Sequence, residues 1–147
     1  MILTLKVKLI SGMYASGDWE GLIEIDADDT LEDLHFAIQR AVKFDNDHMY
    51  EFRIGRNQRS GNLQVFDDET GNVYTQTIGG LFPLPDKNSL YYLFDYGDDW
   101  FFKVVKTRKP SAAPLPGVTY PRLVQETGNK PVQYPSDDDD DDDDDWA

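Results

Sequence analysis

Residues 90 to 104 read LYYLFDYGDDWFFKV and set three carboxylates, Asp95, Asp98 and Asp99, among seven aromatic side chains. Two histidines, His35 and His48, are the only imidazoles in the chain. Imidazole and carboxylate together can hold a divalent cation that activates water. That chemistry makes His35, His48, Asp95, Asp98 and Asp99 the candidate metal ligands, and Asp95, His35 and His48 the candidate catalytic groups. The competing expectation is a corner, because tight turns favour Gly and Asp, and Asp98 and Asp99 can accept bonds from their own backbone. A partly buried histidine is likewise more often bonded to a backbone carbonyl than to a metal. The chain contains no Walker loop, nucleophile elbow, HExxH or GxGxxG. No cofactor is expected beyond the divalent metal these candidates would hold.

Several elements must position these residues. In residues 2 to 10, Leu3, Leu5, Val7 and Leu9 alternate with Thr4, Lys6 and Lys8, the pattern of a half-buried strand. WEGLIEI returns with Trp19, Ile23 and Ile25 on one face, so the chain opens as an antiparallel hairpin. TLEDLHFAIQRAVKF repeats Leu31, Leu34, His35, Ile38, Ala41 and Val42 at helical spacing, with Thr30 as N-cap and Asp33 closing an approximate capping box. A third strand follows, with His48, Tyr50, Phe52 and Ile54 on one face. LQVF and NVYTQ are read as a short hairpin across DETGN.

LYYLFDY and WFFKVVK then flank GDD. A two-residue turn at Gly97-Asp98 and a four-residue loop YGDD both set Asp95 opposite Trp100. In that register Leu93 and Phe102 share their face, and Tyr92, Phe94, Phe101 and Lys103 lie on the other. Both faces are apolar, which places the hairpin centrally in the sheet, and a buried Asp95 would then need turn amides, the Trp100 indole, a histidine or a metal as partner.

The totals bound the class. At 147 residues the chain suits one domain, and zero cysteines remove disulfide frameworks, thiol nucleophiles and cysteine-ligated metals. The formal charge is -14, but nine of the 28 acids are the consecutive aspartates 137 to 145, which leaves 19 acids against 14 bases elsewhere. No basic patch is evident, so direct binding of duplex nucleic acid is not expected. No stretch approaches the roughly 20 apolar residues a membrane helix needs, and no signal peptide precedes the first strand, so a soluble cytoplasmic protein is expected. Residues 110 to 135 carry six prolines and are read as a proline-rich arm, and residues 136 to 147 as a disordered poly-Asp tail.

TLEDLHFAIQRAVKFDNDHMYEF followed by YYLFDYGDDWFFKV resembles the plasmid pRiA4b ORF-3-like family, the passenger TnpR-like proteins of insertion elements. The likeness rests on Leu34-His35, His48, Tyr50-Glu51-Phe52 and residues 95 to 100, and extends over residues 1 to 135. It implies a single α+β domain over residues 1 to 135, an α+β sandwich. The expected fold is therefore a mixed or antiparallel sheet with a strand-strand-helix-strand start, packed on one main helix around a central aromatic hairpin. Two departures weaken a metal site: Phe102 and Lys106 stand where members often carry a histidine and a glutamate, and the cysteine-containing C-terminal segment of the family's longer members is missing.

Three functions compete. The favoured one is a non-enzymatic module associated with mobile elements that binds a protein partner through Tyr92, Phe94, Tyr96, Phe101 and the tail's Trp146. The second is a metal-assisted hydrolase or nuclease-like enzyme built on the His and Asp cluster. The third is a nucleic-acid mimic or a regulator of a nucleic-acid enzyme, drawn from the phosphate-like spacing of charge in the tail.

Overall fold

The computed structural model describes residues 1–12, 18–57 and 64–133. Strands β1 (Ile2–Ser11) and β2 (Trp19–Asp26) form the opening hairpin, followed by helix α1 (Leu31–Val42) and strand β3 (Tyr50–Gly55). Strand β4 (Gln64–Asp67), a 3-10 turn (Asn72–Tyr74) and the one-turn helix α2 (Ile78–Leu81) lead into β5 (Ser89–Phe94), β6 (Trp100–Lys106) and β7 (Arg122–Gly128). The seven strands form one sheet in the order β4-β3-β5-β6-β1-β2-β7. Every pairing in it is antiparallel.

This architecture corrects the expected α+β sandwich packed on one main helix. Helix α1 has 12 residues, a length of about 18 Å. Seven strands at about 4.8 Å spacing span roughly 29 Å, so α1 covers only part of one face. Val73 of the 3-10 turn and Ile78 and Leu81 of α2 join the same buried cluster. The fold is a broad antiparallel sheet with two short helices, and the helices serve the sheet.

Alternation sets the faces where one face is polar. Leu5 and Val7 of β1, Trp19, Ile23 and Ile25 of β2, and Phe52 and Ile54 of β3 all enter the core. The α1 start also follows local chemistry. Thr30 Oγ1 accepts from the Asp33 N–H at 3.3 Å, and Asp33 Oδ2 accepts from the Thr30 N–H at 2.9 Å. Thr30→Ala is therefore expected to cost about 1 kcal/mol in chemical denaturation, because it leaves a helix-start N–H unpaired. Lys43 closes the helix in the left-handed region, with φ 60.

One segment departs from its expected form. Residues 72–74 make a 3-10 turn instead of a strand: Asn72 Oδ1 accepts from the Asp67 N–H at 2.9 Å, and its Nδ2 donates to the Val65 carbonyl at 3.0 Å. The side chain thus ties the turn back onto β4 where a second strand would have paired. Within the proline-rich arm, β7 pairs with β2 along a sheet edge. The expected disorder of residues 136–147 lies outside the described residues. No helix among the described residues is long and apolar enough to cross a membrane.

Candidate functional site

The aromatic hairpin pairs Phe94 with Trp100, Leu93 with Phe101 and Tyr92 with Phe102. That is one residue away from the expected register, and the loop holds five residues, 95 to 99. The cause lies in Asp95, which adopts φ 63 although it is not glycine. Its carbonyl accepts from the N–H groups of Asp98 and Asp99 at 3.1 and 2.7 Å. Its Oδ1 accepts from those of Gly97 and Asp98 at 3.1 and 3.2 Å. A left-handed aspartate able to bond its own loop makes an odd-numbered turn stable, and a shift of one residue exchanges the faces.

The exchanged faces correct the expected docking surface. Tyr92 and Phe94 lie in the core with Trp100 and Phe102, and Phe101 is buried on the opposite face under Arg53, whose guanidinium sits 5.5 Å from the ring centre. Of the proposed surface aromatics, Tyr96 is exposed and donates its hydroxyl to the Tyr50 carbonyl at 3.3 Å. Trp146 lies outside the described residues.

Asp95 is only 6% exposed, yet it no longer faces Trp100. Its second oxygen, Oδ2, stands 3.4 Å from His48 Nε2, which also lies 3.7 Å from Asp47 Oδ1. The Trp100 indole N–H finds no acceptor among the described residues. Asp98 sits at the loop tip, where partial burial and then the Asp95 carboxylate push its pKa upward. Asp99 takes φ 54 and ends the loop.

His35 turns inward and is 1% exposed. Asn46 Oδ1 lies 2.6 Å from its Nε2, and the Tyr92 hydroxyl lies 2.5 Å from its Nδ1. The amide oxygen can only accept, so Nε2 carries the proton and Nδ1 accepts from Tyr92. Gln39 completes a closed circuit: its Nε2 donates to the Tyr92 hydroxyl at 2.9 Å, and its Oε1 accepts from the Asn46 N–H at 3.0 Å. The ring also stacks on Tyr50 at 3.5 Å, with 4° between the planes. Burial lowers the His35 pKa to about 4, only partly offset by the bond to Asn46. Both nitrogens are engaged, so a neutral structural imidazole occupies the place of the expected ligand.

The expected metal set therefore does not assemble. Among the described residues, no three His, Asp or Glu side chains come together in a way that could hold a metal ion. His35 and His48 do border one cleft of about 520 Å³, between α1, residues 46–50, Asp68 and Tyr74. Tyr50 lies at this cleft, its acidity suppressed first by burial and then by Glu32, Tyr74 and Asp68. A second cleft of about 480 Å³ lies beside residues 82–89 and 104–106, away from both histidines, with Asp86 as its single carboxylate.

Glu32, Phe36, Asp68 and Tyr74 escaped the sequence reading. A signal existed for Phe36, an aromatic on the polar side of α1 one turn after Glu32. Nothing local pointed to Asp68 and Tyr74, which reach the cleft only because the turn after β4 folds back toward α1.

Comparison with known proteins agrees with this fold. The family described as "Plasmid pRiA4b ORF-3-like protein" matches residues 3–134. The chain is 30% identical over 105 residues to "Uncharacterized protein y4hQ" of Sinorhizobium fredii (strain NBRC 101917 / NGR234), covering 69% of this chain and 50% of that protein. It thus spans about half the length of that curated relative. The crystal structure of the protein of unknown function MM3350 from Methanosarcina mazei Go1 superposes with a TM-score of 0.65 at 24% identity, over 85% of this chain and 68% of that one. That likeness concerns the fold alone.

Proposed function

The chain belongs to the plasmid pRiA4b ORF-3-like family, and from that premise we propose a non-enzymatic interaction module that receives a basic segment of a protein partner in the cleft beside α1. One observation carries this reading. The carboxylates Glu32 and Asp68 share a single cleft with the exposed side chains of Phe36, Met49 and Tyr74. Among the described residues, neither carboxylate has a cationic partner. Negative charge beside apolar surface suits a partner with cations and greasy side chains together, and the acidic sequence would steer such a partner toward it.

A metal-assisted hydrolase draws no support from this geometry, since His35 is committed to Asn46 and Tyr92.

The test is a two-dimensional NMR titration of the full chain with a blocked arginine- and leucine-containing peptide, read at the amides of residues 32–36, 68 and 74. Those amides are expected to shift in the wild type, and Glu32→Lys/Asp68→Lys is expected to weaken binding about tenfold, two lost charge contacts at roughly 0.7 kcal/mol each. Reading local amides separates the cleft from the poly-Asp tail. Equal binding by the double variant would remove the cleft as the docking site.

A further inference from the structure

Resting on that docking reading, we propose that the cleft is built to take a guanidinium: an arginine side chain of the partner enters between Phe36 and Tyr74 and is held by Glu32 and Asp68. Four features lead there. Glu32 and Phe36 lie one turn apart on α1, so a carboxylate and a ring stand side by side on the same helix face. Phe36 is 39% exposed and Tyr74 48% exposed, so each offers ring surface to a ligand.

Behind them the floor is rigid and uncharged. Tyr50 stacks on His35, and His35 is locked by Asn46 and Tyr92. The two carboxylates act on this same space. Burial first, then Asp68 and Glu32, raise the pKa of Tyr74, and the same two carboxylates are among the causes at Tyr50. A hydroxyl that resists ionisation next to carboxylates marks a region of negative potential, which favours a cation.

The choice of guanidinium over ammonium follows from hydration and shape. The cleft lies open to water, so it cannot repay the stripping of a strongly hydrated ammonium. A guanidinium is weakly hydrated, planar enough to lie against a ring, and carries forked donors that can serve two carboxylates at once. Lysine would gain less from the rings, because its ammonium is strongly hydrated and cannot lie flat against them.

Blocked pentapeptides Gly-Leu-X-Leu-Gly, with X as arginine, lysine or citrulline, separate these ideas in the same NMR titration of the full chain. Citrulline keeps the arginine shape without its charge. The arginine peptide is expected to bind about fivefold tighter than the lysine peptide, near 1 kcal/mol of ring stacking, with citrulline weaker than both. Phe36→Ala and Tyr74→Ala change exposed rings and leave the core intact. Each should bring arginine binding down toward the lysine level while lysine binding falls less.

Equal affinities for arginine and lysine, both dependent on Glu32 and Asp68, would overturn the guanidinium inference and leave the docking reading standing. If none of the peptides shifted the cleft amides, the docking reading would fall with it.

Discussion

Acidification from pH 7 to pH 4 is expected to cost the folded state about 3 kcal/mol at His35 alone, through a pKa near 4 in the fold against 6.5 in the unfolded chain. The sign follows from proton counts. Between those two values the unfolded chain binds the proton and the native state does not, so stability rises with pH across that window. The contribution is complete above about pH 6.5 and drains away as the pH falls toward 4. Burial dominates the shift, Asn46 opposes it by hydrogen bonding, and Asp68 is the charge that opposes it from across the cleft.

His35→Leu provides the control, with urea denaturation measured at several pH values. At pH 7 the variant is expected to lose roughly 1 to 3 kcal/mol, because the Tyr92 hydroxyl and the Asn46 amide oxygen each lose a buried partner. Below pH 6.5 the variant lacks the titration, so its curve should draw together with the wild-type curve. Parallel curves down to pH 4 would mean that His35 protonates freely in the fold and that its circuit with Gln39, Asn46 and Tyr92 does not hold the neutral form.

Asp95→Ala is expected to cost about 3 kcal/mol, the sum of two turn amides left without their acceptor and a β-carbon forced to stay in the left-handed region. The amides are those of Gly97 and Asp98, and the backbone angle at issue is φ 63. Asp95→Asn should cost less than about 1 kcal/mol, since an amide oxygen can still accept from the turn and asparagine tolerates that conformation. The small remainder is the charge facing His48, a pair with one exposed member. Denaturation midpoints of the two variants decide what this carboxylate does. If the asparagine variant fell as far as the alanine variant, the contact of the Asp95 carboxylate with His48 would be holding the corner and the turn would be secondary.

Those two residues show how far local sequence reaches. The faces of β1, β2 and β3 and the start of α1 were legible because each depends on neighbours within one strand repeat or one helical turn. Leu5, Trp19 and Phe52 point inward because the residues beside them are polar, and Thr30 caps α1 because Asp33 stands three residues on. Hairpin β5-β6 gave no such guide. With Tyr91, Leu93 and Phe101 as apolar as Tyr92, Phe94 and Phe102, alternation has nothing to choose between, and the register fell to the backbone angle of one aspartate.

The amino-acid sequence by itself determined the family, the opening hairpin, the capped helix and the importance of the Asp95 corner, all of which rest on short-range pattern and turn chemistry. Tertiary structure alone decided that His35 would spend both nitrogens on Asn46 and Tyr92, partners 11 and 57 residues away. It likewise decided that Asp68 and Tyr74 would meet Glu32 and Phe36 in one cleft. The physical reason is the same in both cases: a buried polar group takes whichever partner the packing of distant strands brings within reach, and no local spacing records that choice.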